Sequence, residues 1–408
     1  MNIFIKYKKI FLVLGFILIV FILGYLLYSF FFRPGKPTPS DIKEPTATTT
    51  SSGLPAAGPG QIIAPTGRPE ETARPGLPVS PIAQGGLTQT TELNQVESTG
   101  ATLASDGSSL QYYNKADGKF YRINKDGRIS ALTDKIFHRV ENIVWSPNKN
   151  KAILEYPDGA NIVYNFNDNK QITLPAHWQD FAYSPNGQQI ITKSIGLDPG
   201  NRWLAAVNED GSKASRLKAL GENEDIVYPS WSPNNQTVAM YIKGVDFNRQ
   251  EVFFIGLNNE NFKSMVVEGR GFQAQWSPKG DRLLYSVYST DNDLKPKLWI
   301  ANAQGENIGG GRKSLNVETW ANKCAFADSI NIYCAVPEEL EKGAGLFPEM
   351  AKNTHDNLYE IDTRTGFKKL VAIPDNSYNM SKVIISDNGQ YLYFTDETTG
   401  RLHKIQLK

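Results

Sequence analysis

Gly309-Gly310-Gly311-Arg312-Lys313-Ser314 comes nearest, of any stretch in this chain, to a loop that cradles phosphate. In that chemistry backbone N–H groups wrap the phosphates, and a lysine directly after the last glycine reaches them at the start of a helix. Here Arg312 intervenes and the flanks read as a β-hairpin, so no nucleotide site is expected. Asp291-Asn292-Asp293 opens like a calcium loop but lacks the glycine and glutamate that complete the oxygen cage. The four histidines, at 138, 177, 355 and 403, are too scattered for a metal centre, and no G-x-S-x-G elbow occurs. Neither metal nor cofactor is expected. Paired acids inside a channel would still support a hydrolase or lyase, which stays open as the alternative to a non-enzymatic protein. Cys324 and Cys334 are the only cysteines. A hairpin centred near Ser329 would set them opposite each other, giving a disulfide outside the cytoplasm or, failing that, two buried thiols.

Whatever these residues do, a repeated element positions them. An apolar or aromatic residue, a tight turn and a short apolar strand recur at Trp145-Ser146-Pro147-Asn148, Tyr183-Ser184-Pro185-Asn186-Gly187, Trp231-Ser232-Pro233-Asn234-Asn235, Trp276-Ser277-Pro278-Lys279-Gly280 and Ile385-Ser386-Asp387-Asn388-Gly389. Ser146, Ser184, Ser232 and Ser277 lie 38, 48 and 45 residues apart. Proline presets φ at the second turn position, and glycine or asparagine tolerates positive φ at the fourth, where Lys149 departs from the pattern. Hairpin signals such as Lys125-Asp126-Gly127 and Glu209-Asp210-Gly211 close third strands. Degenerate copies at Leu103–Gly107 and Cys324–Ser329 bring the count to seven. The expected fold is all-β: a seven-bladed propeller of four-stranded antiparallel blades over residues 88–408, with six or eight blades as alternatives. The seventh blade lacks a fourth strand at its C-terminal end. Residues 88–97 are expected to supply it and so remove an exposed edge.

The Trp/Tyr-Ser-Pro-Asn/Asp-Gly turn repeat over residues 100–408 resembles the TolB-like branch of bacterial WD-repeat-like propellers. The resemblance implies the propeller module alone. The extra N-terminal α/β domain of that family has no counterpart here, so its partners are not carried over.

Counting six residues back from each motif aromatic gives Arg139, His177, Asp225, Arg270, Trp320 and Asn379, with Trp178, Tyr228 and Tyr378 beside them. By periodicity these should ring the channel mouth on the face that carries the irregular connections Gly196–Arg202, Gly244–Arg249, Ser289–Lys297 and Pro337–Asn353. They would suit an anionic or peptide ligand, or simply cap the blades and meet water. Leu346, Phe347 and Met350 form an apolar cluster in the longest of those connections, a candidate partner-binding knob unless it folds back on its own blade.

Net charge is +1, but residues 1–36 hold Lys6, Lys8, Lys9, Arg33 and Lys36 and no acid. The rest is therefore acidic on balance, and no nucleic-acid partner is expected. Ile10 to Phe32 contains no charge and is long enough at 1.5 Å per residue to cross about 30 Å of hydrocarbon. A transmembrane helix over 10–32 is expected, with a cleaved signal peptide as the alternative. The bias of bases leans toward a cytoplasmic N-terminus at 1–9. Residues 33–87, rich in Pro, Gly, Thr and Ser, read as a disordered linker. The expectation is a cell-membrane protein with an extracytoplasmic propeller that binds a protein or an envelope polymer. A subunit that only positions another membrane protein is a third reading.

Overall fold

A computed structural model describes residues 18–26, 78–258 and 260–408 of the chain. The chain divides into two compact units, Met1–Glu70 and Glu71–Lys408. In the first, residues 18–26 are helical and lie inside the expected membrane span, whose other residues fall outside the described ones. Among the described residues no helix is long and apolar enough to cross a membrane.

The second unit is a seven-bladed all-β propeller. Its antiparallel sheets occupy residues 98–131, 142–174, 178–219, 227–267, 270–314, 324–374 and 380–406, called blades one to seven. Within these ranges the strands lie side by side in chain order.

The repeated turn joins the innermost strand to the second, and its serine is the hub. Ser232 Oγ donates to Asn234 Oδ1 at 2.7 Å and accepts from the Thr237 N–H at 2.9 Å. Ser146, Ser184 and Ser386 repeat both bonds, and Ser277 uses Asp281 instead of an asparagine. All five serines are buried, so these bonds satisfy groups that water cannot reach.

Between blades Trp145 and Trp276 act as rivets, whereas Trp231 Nε1 donates to Asn235 Oδ1 in its own turn. Trp145 Nε1 donates to the Gly100 carbonyl at 2.7 Å, and Trp276 Nε1 to Ser230 Oγ at 2.9 Å. Phe120 of blade one meets Trp145 and Phe166 of blade two edge-on, at 5.7 and 5.0 Å between ring centroids. Most aromatics are thus spent on sheet-to-sheet packing.

Blade seven is closed as expected. Thr90–Glu92 pairs antiparallel with the last strand, Thr90 opposite Ile405 and Glu92 opposite His403. One addition was not foreseen: Leu87–Thr88 forms a fifth, parallel strand on blade six, against Ile373 and Pro374. The chain engages the propeller even earlier, since Ala83 N–H donates to the Gln406 carbonyl and Gly85 N–H to that of Val371. The tail of the tract read as linker, from Ser80 onward, is therefore ordered against blades six and seven. A short strand on each of two neighbouring blades makes a clasp across their seam.

Candidate functional site

Two faces result from this topology. The first carries the motif turns and the hairpins between third and outer strands. The second carries the connections between second and third strands and the links from blade to blade.

On the second face four long connections lie side by side in blades three to six. Asn248 Nδ2 donates to Thr290 Oγ1 at 2.7 Å, and the Thr290 N–H donates back to Asn248 Oδ1 at 3.0 Å, lacing blade four to blade five. Gly343 and Gly345 N–H groups donate to the Asp293 and Leu294 carbonyls, each at 2.8 Å, lacing blade six to blade five. Asp293 and Leu294 sit in the left-handed region (φ 51° and 55°), a conformation that costs about 1 kcal/mol or more per non-glycine residue. The bonds from the neighbouring insertion hold it in place. Glycine is needed at 345 because a Cβ there would meet the Leu294 carbonyl oxygen at 2.6 Å.

Apolar side chains stand out from this crest. Leu197 is fully exposed, Phe247 is 58% and Phe347 51% exposed, and Val245, Leu346 and Met350 are also open to solvent. The cluster Leu346, Phe347 and Met350 therefore does not fold back. Its neighbours Leu340, Ala344 and Ala351 do, packing on Trp320. Among the described residues, the exposed large apolar side chains on the first-face hairpins are Phe367 and Ile129, fewer than on the crest.

The nine residues expected at the mouth separate into three groups. Arg139, His177, Asp225 and Tyr228 are exposed. Arg270 and Tyr378 are framework: Arg270 Nη1 donates to the Asp246 carbonyl at 2.8 Å, and the Tyr378 hydroxyl lies 2.9 Å from Thr90 Oγ1 in the clasp. Trp178, Trp320 and Asn379 are buried, which corrects their assignment to the open mouth. Trp178 and Trp320 start their blades' innermost segments and are covered by core and insertion. Asn379 is occupied in holding the insertion, donating from Nδ2 to the Ala351 and Lys352 carbonyls at 2.9 and 3.0 Å.

Asn379 also belongs to a buried polar knot that periodicity does not reveal. Lys323 Nζ lies 2.7 Å from both Asp356 Oδ2 and Asn379 Oδ1, and the Met380 N–H donates to Asp356 Oδ2 at 2.6 Å. Burial pushes the Asp356 carboxyl up to about 6, against the pull of the Lys323 ammonium. The knot ties the inner and third strands of blade six to blade seven and, through Asn379, to the insertion. A cavity of about 90 Å³ lies beside it, lined by Gln273, Trp320, Lys323, Asn379 and Glu397 among others.

Acids gather on the opposite side of the mouth. Innermost strands of blades one, three, five and seven are bulged, each with a left-handed residue: Gly100, Asp180, Gly271 and Lys382. The bulge sets Asp180 against Lys193 Nζ at 2.5 Å. Burial raises the Glu155 carboxyl, and Asp180 and Glu141 add to the rise while a bond from Asn142 opposes it. Among the described residues no trio of His, Cys, Asp or Glu is placed to hold a metal ion.

Cys324 and Cys334 stand directly opposite in register, with Cα atoms 4.0 Å apart, and are joined as a disulfide.

No known protein family matches the sequence, and no curated protein matches it. Among solved structures, the β-propeller domain of Cps50 (Swd1) from Myceliophteria thermophila aligns over 78% of this chain and 100% of its own, with 11% identity and a TM-score of 0.51. An oligogalacturonate lyase in complex with manganese aligns over 78% of this chain and 93% of its own (13% identity, TM-score 0.49). The oligogalacturonate lyase of Vibrio parahaemolyticus aligns over the same shares at 10% identity and a TM-score of 0.49. The sheet order defines a seven-bladed β-propeller, and the likeness to the Cps50 (Swd1) domain is one of fold.

Proposed function

We propose that this chain is a non-enzymatic binding scaffold that holds a partner protein on the crest of long connections in blades three to six. One observation carries the reading: large exposed apolar residues concentrate there, while the motif-turn face carries few of them. Monomeric surfaces seldom gather such residues without a partner, and loops on a rigid frame are where recognition evolves. The resemblance of the turn repeat to TolB-like propellers supports this reading. The uncharged run from Ile10 to Phe32 would anchor it in the membrane, N-terminus inside. The disulfide suits a propeller held outside the cytoplasm.

Photo-crosslinking amino acids placed at Phe247, Phe347 and Phe367 in intact cells test this. Adducts at the first two positions and none at Phe367 are expected; equal labelling of both faces would refute it. Protease added to the same cells should remove the C-terminal mass, whereas full protection overturns the orientation. A second reading, a hydrolase or lyase working at the mouth, draws on Glu155 with Asp180 and Glu141 beside it. Turnover of envelope glycans or peptides that vanishes in Glu155→Gln would favour it.

A further inference from the structure

The crest has a charge pattern as well as an apolar one. Most of its bases are already occupied: Arg249 pairs with Asp246 at 2.6 Å, Lys342 with Asp293 at 3.3 Å, Lys295 with Glu318 at 3.5 Å, and Arg202 with Glu224. That leaves Lys297, over the Trp299 ring, and Lys352 without a carboxylate among the described residues. By contrast Asp198, Asp291, Glu339, Glu341 and Glu349 stand on the same connections without a cationic partner among the described residues. They are interleaved with the apolar tips: Asp198 follows Leu197, and Glu349 lies between Phe347 and Met350.

This combination decides what can sit there. A second copy of the crest would bring unpaired acids against unpaired acids, which costs free energy at a desolvated contact. An anionic bilayer or a nucleic acid would be repelled, since both are recognised by surplus lysine and arginine. A partner whose apolar side chains alternate with bases satisfies both halves of the pattern, burying the tips while each base meets a carboxylate that has no other cation.

We infer that the crest of blades three to six docks a cationic amphipathic segment of a partner protein. This rests on the binding-scaffold reading and adds the chemistry of the partner. The apolar tips supply most of the affinity, and the surplus acids supply rate, orientation and rejection of anionic competitors.

The test uses the full chain in neutral-lipid nanodiscs, with empty discs as the blank. The reagent is a fluorescent Lys/Leu peptide patterned to put its leucines on one helical face; a Glu/Leu and a Lys/Ser peptide of the same pattern serve as controls. The Lys/Leu peptide should bind and the two controls should not. Glu339→Lys with Glu341→Lys, or Phe247→Ser with Phe347→Ser, should each weaken binding about tenfold or more. The turn-face pair Asp210→Lys with Glu306→Lys, which changes net charge equally, should leave it unchanged. Equal binding of the Glu/Leu peptide, or equal losses from crest and turn-face pairs, overturns the inference. So does capture of anionic vesicles that the crest substitutions abolish. If crosslinkers at Phe247 and Phe347 still trap a protein in cells while the crest charge reversals change nothing, the cationic segment is wrong and the binding face stands. No adducts at either position takes down both.

Discussion

On the motif-turn face the hub serines find their partners within a few residues. Ser146, Ser184, Ser232, Ser277 and Ser386 close their own loops, and single bonds join neighbouring turns, as where Asn234 Nδ2 donates to the Gly280 carbonyl at 2.9 Å and Lys151 Nζ meets Glu209 Oε1 at 2.7 Å. On the loop face the partners lie in other blades: Asn248 reaches Thr290, Gly343 reaches Asp293, and Lys323 reaches Asp356 and Asn379. A face stabilised locally can be copied blade after blade. A face stabilised between blades can differ at every blade, and it is there that apolar tips and unpaired acids accumulate.

The sharpest way to break this contrast is to cut the buried knot. Lys323→Met leaves the Asp356 carboxyl without its cation and should cost about 3 kcal/mol in urea denaturation above neutral pH. In the intact protein the carboxyl is held at about 6, above its ordinary 3.8. Its stabilising share is therefore complete below about 4 and is lost as pH rises through 6. Without the lysine the folded value climbs further, so the loss from Lys323→Met should shrink on acidification toward pH 5. A loss independent of pH would show that the carboxyl is not the group left stranded. Crosslinking at Phe347 should fall along with stability, because Asn379 holds the insertion.

On the other face, Ser232→Ala strands the buried Thr237 N–H and should cost about 1–2 kcal/mol, with crest crosslinking intact. Crosslinking that falls with it would mean the two faces are coupled. Lys149→Gly goes the opposite way. Lys149 fills a turn position at φ 59°, and burial pulls its ammonium down. Glycine there should raise the denaturation midpoint by the equivalent of about 1 kcal/mol. Smallest in stability is Phe347→Ser, expected within about 0.5 kcal/mol of the parent although it removes a crest contact. A large destabilisation would make Phe347 a packing residue after all.

Local chemistry explains which parts of this could be read from residues alone. Ser-Pro-Asn-Gly states its own turn, so blade number and face assignment follow from spacing, and so does the need for a strand near Thr90. Leu87–Thr88 escaped because a parallel pairing with Ile373 and Pro374 leaves no hairpin signal between them. Lys323 and Asp356 are 33 residues apart and share no period, so nothing but the folded ring brings them together. Counting back from the motif aromatics could not tell which way a side chain turns. The cover over Trp178 and Trp320 and the second duty of Asn379 decide that. Leu197 and Phe247 fall in connections that sequence marks as irregular, but residue type alone does not state their exposure.

The clasp ties together parts of the chain that are made far apart in time. The Leu402 N–H reaches Asn94 Oδ1 across 308 residues, while blades one to five are runs of local hairpins. During synthesis the early blades can form one by one, but the circle shuts only when its final strand arrives, and until then the first and last sheets present bare edges. Shutting should therefore be the slow step of maturation, and the interval before it is when a chaperone would matter most.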